Sequence, residues 1–151
     1  MELEYSYLAG LVDGEGYLGI TTKGIRVNGR NKYQVIIRIQ MCDKEIIEYL
    51  SSFLNVKIAN HYRDHPIWKD AYSVTLYDNR ATEFIKKIYP YLRVKKKQAE
   101  IIIEFRKSIT RGRNQSNPVT LEMIDKQDEL YNKIRFINTR GKHGWKPTKN
   151  K

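Results

Sequence analysis

The sequence predicts an α+β domain: an αββαββα core whose four strands form one antiparallel sheet, with further helices at the C-terminal end. Three observations carry this expectation. Two pairs of alternating segments each follow or precede a segment with helical spacing, turn-forming residues separate the members of each pair, and apolar side chains favour one side of each strand. Helices are therefore expected on one sheet face, leaving the other polar and open.

The elements follow in order. Leu3, Tyr7, Leu8, Leu11 and Val12 recur at helical spacing, so residues 3 to about 13 read as a first helix. Residues 17 to 23 alternate, with Leu18, Ile20 and Thr22 opposed to Tyr17, Gly19, Thr21 and Lys23. Asn28-Gly29 marks a turn before a second strand over 32 to 41, where Val35, Ile37, Ile39 and Met41 oppose Gln34, Ile36, Arg38 and Gln40. Asp43 is a natural N-cap for a helix carrying Ile46, Ile47, Leu50, Phe53 and Leu54 on one side. Residues 56 to 63 and 71 to 77 read as two more strands, joined by a turn region around Asp64 to Asp70. A helix from Asp78 or Asn79 presents Phe84, Ile85 and Ile88 and ends at Tyr89-Pro90. Another spans about 96 to 108; a basic loop and a last helix over about 119 to 137 complete the pattern. Residues 1 to 138 read as one domain and 139 to 151 as a basic tail.

The 151 residues are 40% hydrophobic and 11% aromatic, enough for a core of this size and against disorder except at the ends. A single cysteine, Cys42, excludes an internal disulfide framework and a Cys-rich zinc site. No window approaches a membrane span, and glutamates rather than bases precede the first apolar stretch, so a soluble intracellular protein is expected. The net charge is +11, unevenly spread. Residues 1 to 16 hold Glu2, Glu4, Asp13 and Glu15 and no base, whereas 23 to 38 hold Lys23, Arg26, Arg30, Lys32 and Arg38 and no acid. Residues 86 to 97 are also acid-free and carry six bases, and the tail from Arg140 adds five. Positive surfaces around a small negative centre suit a polyanion handled by a metal-dependent nuclease.

The first helix carries the sharpest signal. Ser6, Ala9 or Gly10, and Asp13 or Gly14 form a stripe of small residues along which another backbone can approach closely. Asp13 and Glu15 stand at the negative end of the helix dipole, at a cost of roughly 0.3 to 1 kcal/mol each. Two readings follow: a compensating cation, such as a divalent ion held by a carboxylate and the Gly14 carbonyl, or surface acids tolerated in a glycine-rich turn.

The run Leu8-Ala9-Gly10-Leu11-Val12-Asp13-Gly14-Glu15-Gly16 resembles the signature of the LAGLIDADG homing endonucleases, with Val and Gly at tolerant positions and Glu for the final Asp. The αββαββα order is similar too. So is Tyr89-Pro90-Tyr91-Leu92-Arg93-Val94-Lys95-Lys96-Lys97-Gln98-Ala99, which resembles the segment bearing the basic active-site residue in single-motif members. The resemblance covers roughly residues 5 to 108. Because the motif occurs once, it implies the single-motif class, which acts as a homodimer with Ser6, Ala9, Gly10 and Asp13 at the helix interface and the sheets forming a DNA-binding saddle.

What the resemblance implies for chemistry is site-specific double-strand DNA cleavage by metal-assisted hydrolysis, leaving 3′ overhangs. Glu15 and the Gly14 carbonyl would bind Mg2+, with Mn2+ expected to substitute and Ca2+ to bind without supporting cleavage. Lys95 matches the family's basic residue. Asp43 falls near a position where members place a polar residue, often Gln, so it is either catalytic or simply the helix cap. His61 and His65 are four apart but lie in strand and turn, which argues against zinc chelation.

A strand of about ten residues spans roughly 33 Å, matching about ten base pairs at roughly 3.4 Å each, so a dimer would read about 20 base pairs through two major-groove half-sites. The expected readers are Thr21, Lys23, Gln34, Arg38, Gln40, Asn60, Tyr62, Ser73 and Thr75; a one-residue register error would invert the choice. Arg38 suits guanine and Gln34 or Gln40 adenine. Arg26, Arg30, Arg111, Arg113 and the lysine tail are expected on phosphates. The competing expectation is a non-cleaving binder on the same scaffold, an intron RNA maturase or a DNA-binding regulator, with intron RNA as a possible partner.

Overall fold

The computed structural model describes residues 1–109 and 119–139. In chain order it contains α1 (Glu2–Glu15), β1 (Gly16–Ile25), β2 (Asn31–Met41), α2 (Lys44–Leu54), β3 (Ala59–His61), β4 (Ala71–Tyr77), α3 (Asp78–Ile88), a 3-10 turn (Tyr89–Tyr91), α4 (Lys96–Ile109) and α5 (Leu121–Asn138). The strands form one antiparallel sheet in the order β1-β2-β4-β3. The α+β expectation holds, and its αββαββα order is the one observed.

One sheet face is covered. Leu18 and Ile20 of β1, Val35, Ile37 and Ile39 of β2, and Val74 and Leu76 of β4 are buried against Leu8, Val12, Ile47, Leu50, Ile85, Ile102 and Phe105 from the helices. Burying this apolar layer is the main driving force for the fold, at roughly 25 cal/mol per Å2 removed from water. Local signals fix the boundaries. The Asp43 carboxylate accepts the Ile46 N–H at 3.2 Å, and Thr120 caps α5 by accepting from Met123 N at 3.2 Å. Asn55, in the left-handed region at φ 50°, closes α2.

Two differences from the sequence-based expectation have physical causes. The third strand is three residues long rather than eight, because Val56 and Ile58 pack half-buried against the core instead of pairing. A bulge interrupts β1 between Thr22 and Gly24, so Lys23 is an extra residue outside the simple alternation. Beyond the end of the β2–β4 ladder, Asp78 (φ 47°) accepts the Val35 N–H at 3.2 Å and lies 3.5 Å from the Lys23 ammonium.

Candidate functional site

The turn from α1 into β1 is unusually tight. A Cβ on Gly16 would lie 2.7 Å from the Val12 carbonyl oxygen and 2.8 Å from its Cα, so only glycine fits where the helix becomes a strand. This corner sets Glu15, exposed, as the last residue of α1. Beneath it, Asp13 is tied to the chain before α4. Its carboxylate accepts backbone N–H groups of Arg93 (2.8 Å), Val94 (3.2 Å) and Lys95 (2.9 Å). The Lys95 ammonium donates back to the Asp13 carbonyl oxygen. Burial acts to raise the Asp13 pKa, but the three N–H donors and the Lys95 charge outweigh it and hold the carboxyl below its ordinary value. The cation that the end of α1 requires is thus supplied, at Asp13, by Lys95.

A cleft of about 420 Å3 opens beside this corner, lined by Asp13, Gly14, Glu15, Tyr17, Lys95, Gln98 and Asn138 among others. The structure therefore brings Gly14, Glu15 and Lys95 together, as expected. Asp43 does not line it, and its Oδ1 is engaged as the α2 cap, the other of the two roles open to it. Among the described residues no three His, Cys, Asp or Glu side chains cluster as a metal site. The oxygen donors that one chain offers are the Glu15 carboxylate and the Gly14 carbonyl, hard ligands of the kind a magnesium ion accepts alongside water and phosphate.

The outer side of α1 differs from the expected stripe by one position. Ala9 is fully buried in the chain's own core and Asp13 is tethered, so neither is available to a partner. Ser6 and Gly10 are exposed as expected, and with them Leu3 (87%), Tyr7 and Gly14. Nothing lies within 4 Å of a Cβ built on Gly10 or Gly14. The helix is apolar on both sides, one spent on its own core and one unspent.

On the uncovered sheet face the register defines rows. Thr21 stands opposite Gln34; Tyr17, Arg38 and Thr75 form a second row; Gln40, Ser73 and Ala59 a third. The Tyr17 ring lies over Gly19, and Gly19 and its partner Ile36 are buried, making an apolar floor beside exposed Arg38. Thr21, Gln34, Arg38, Gln40 and Thr75 thus share this face.

Several expected readers do not. Asn60 pairs with Tyr72, and directly opposed residues share a face, so Asn60 belongs to the helix-covered side; the Tyr62 hydroxyl lies 3.4 Å from its amide, just past the strand. The expected parity of the third strand was off by one, and His61, not singled out as a reader, occupies the open side. Ser73 is 1% exposed, with His61 Nε2 2.8 Å from its hydroxyl. Lys23 is drawn to Asp78.

Two of the four arginines expected on phosphates, Arg26 and Arg30, are held by α5. Arg26 donates to Gln127 Oε1 at 3.0 Å and to the Asn31 carbonyl at 3.3 Å. Arg30 bridges Asp125 (2.8 Å) and Asp128, and these carboxylates push its pKa up. Burial, together with the hydrogen bond that Tyr33 donates to the same Asp128 at 2.5 Å, raises the phenol's pKa and keeps it protonated. Arg111, Arg113 and the tail lie outside the described residues.

Residues 8–109 match the family model described as LAGLIDADG endonuclease. Solved structures of similar fold include the archaeal intron-encoded homing endonuclease I-Vdi141I complexed with DNA, at 15% identity and a TM-score of 0.72, covering 93% of this chain and 87% of that one. The homing endonuclease I-CvuI, in complex with its target in the presence of calcium, gives 18% identity and 0.67, with 93% and 85% covered. The homing endonuclease I-TnaI gives 20% and 0.64, with 93% and 92% covered. Among the described residues no helix is long and apolar enough to cross a membrane. The motif at the end of α1, the fold it organises and the match over residues 8–109 together place the chain in the LAGLIDADG endonuclease family.

Proposed function

We propose that the chain is a site-specific double-strand DNA endonuclease that works as a homodimer on a pseudo-palindromic site of about 20 base pairs and leaves 3′ overhangs. The observation that carries this is the corner at Gly14–Gly16. It presents an exposed carboxylate, Glu15, at the end of a helix whose outer stripe (Leu3, Ser6, Tyr7, Gly10, Gly14) is open for close approach of a second copy. Packing two such helices about a two-fold axis brings two Glu15 side chains to the centre, where they repel unless cations lie between them. Like-sized single-domain relatives such as I-TnaI, against I-LtrWI, of which this chain covers only 42%, favour the dimer over a two-in-one chain.

In this reading each sheet lies in a major groove, with Thr21, Gln34, Arg38, Gln40 and Thr75 facing the base edges. Glu15 and the Gly14 carbonyl would hold Mg2+, which would supply Lewis-acid polarisation and charge neutralisation at the scissile phosphate. Lys95, fixed over the end of α1, adds positive charge on the wall of the same cleft, where a phosphodiester gains charge during hydrolysis. Asp13 keeps Lys95 and α1 in register through its three backbone contacts.

The test is site selection. The protein is incubated with a randomised duplex library and Mg2+, and cut products are sequenced while its mass in solution is measured. A dimer cutting both strands of a symmetric site is expected. Selective binding without any nick would favour the maturase or regulator reading, and a monomer on an asymmetric short site would overturn the dimer.

A further inference from the structure

The open sheet face carries a side-chain pair that the expected readers do not include. His61 ends β3 opposite Ala71, and its Nε2 lies 2.8 Å from the Ser73 hydroxyl. Ser73 pairs with Gln40, two residues along β2 from Arg38, so these side chains share the face on which Arg38 stands exposed. The neighbours of His61 on that face, Ala59 and Ala71, end at a methyl, which leaves the half-exposed imidazole as the long polar group at this edge. The direction of its hydrogen bond follows from burial. Ser73 is 1% exposed, and among the described residues the imidazole is the one hydrogen-bond partner of its hydroxyl. If the hydroxyl accepted from the ring, its own proton would be buried without an acceptor, a cost that folded proteins avoid. It therefore donates to Nε2. A neutral imidazole that accepts at Nε2 carries its proton on Nδ1, so Nδ1–H is the group left for a ligand.

We infer that His61 is a specificity-determining residue that donates Nδ1–H to an acceptor on a base edge in the major groove, with Ser73 as the positioning residue that sets its tautomer. This rests on reading the open sheet face as a DNA-binding surface. The donor role also names the base. Guanine offers two acceptors, N7 and O6, and thymine offers O4, whereas cytosine presents only the donor of its N4 amino group. A ring fixed as a donor thus favours guanine and rejects cytosine at one base pair of each half-site.

Binding and imidazole NMR on the full chain test it. In Ca2+, competition binding is measured on a duplex selected by binding and on duplexes carrying the other base pairs at each position in turn. One position of each half-site should prefer guanine over cytosine by about tenfold or more. His61→Ala should bring that ratio within about threefold and leave the profile at other positions unchanged. Ser73→Ala should narrow the same ratio at the same position while the melting temperature holds, since the imidazole it releases is half-exposed and can turn to water. An unchanged profile in His61→Ala, an equal loss on every duplex as for a phosphate contact, or a preference for cytosine at the His61 position would each overturn the inference. A Ser73→Ala chain that does not fold would make Ser73 structural and overturn its positioning role. Imidazole nitrogen shifts of the free protein, at a pH where the ring is neutral, should place the proton on Nδ1, the His61 signals being those lost in His61→Ala. A proton on Nε2 would overturn the inference as well. If wild type discriminates no DNA sequence, it is the endonuclease reading that fails, and the tautomer still decides the role assigned to Ser73.

Discussion

Asp13 and Lys95 hold each other in both directions: the Lys95 backbone N–H donates to the Asp13 carboxylate at 2.9 Å, and the Lys95 ammonium donates to the Asp13 carbonyl oxygen. The pair fastens the C-terminal end of α1 to the chain just before α4. Asp13→Ala removes the acceptor of three N–H groups and should cost about 1–3 kcal/mol of stability, read by denaturant unfolding. The pH dependence has a definite sign. The folded-state pKa lies below 3.8, so the unfolded chain takes up the proton first. This contribution is full above 3.8 and is lost as pH falls through the lower folded value. Asp13→Ala should therefore flatten the acid limb of the stability curve below 3.8; an unchanged limb would show that the tether contributes nothing.

Gly16→Ala tests the helix-to-strand corner. The added methyl meets Val12 backbone atoms at 2.7 and 2.8 Å, which no rotamer change relieves. Overpacking of this kind costs about 1–3 kcal/mol, and the displaced corner should carry Glu15 with it and lower cleavage beyond the loss of folded protein. Gly19→Ala is the control. The three atoms nearest its methyl are outer atoms of the Tyr17 ring, which can swing aside.

Gly10→Gln separates fold from assembly. The position is open in a single chain, and a helix interior gains slightly when glycine is replaced, by up to about 1 kcal/mol. The variant should stay folded yet sediment as a monomer and lose cleavage. A stable dimer would mean that the outer side of α1 is not the interface.

Arg38 and Arg30 should behave oppositely. Arg38 stands exposed on the open sheet face between Tyr17 and Thr75, so Arg38→Ala should cost about 1–3 kcal/mol in binding and relax specificity at one position of each half-site. Arg30 already has two carboxylate partners, and Arg30→Ala should leave the salt dependence of DNA binding unchanged while loosening α5. A reduced salt slope for Arg30→Ala would place it on phosphate after all.

Much of this was legible in the residues, and the exceptions share a cause. Asp43 capped α2 and the alternation of β2 sorted Gln34, Arg38 and Gln40 correctly, because these signals are local. Val56 and Ile58 alternate like a strand, yet packing rather than pairing claims them, so β3 shrinks and Asn60 lands on the opposite face. The basic character of Arg30 is plain, but its partner Asp128 lies 98 residues further on. Likewise the hydroxyl that holds His61 belongs to Ser73, 12 residues further on. Ala9 and Gly10 are adjacent small residues on one helix, and only the tertiary structure tells which side the core takes.

Glu15→Gln is the decisive substitution, since it keeps the size and exposure of the side chain and removes only the charge that a divalent ion needs. With a selected target duplex, the variant should remain dimeric and bind DNA as wild type does, while its Mg2+-supported cleavage falls by about two orders of magnitude or more. Wild-type cleavage rates in Glu15→Gln would contradict the assignment of the metal-binding, catalytic carboxylate to the end of α1.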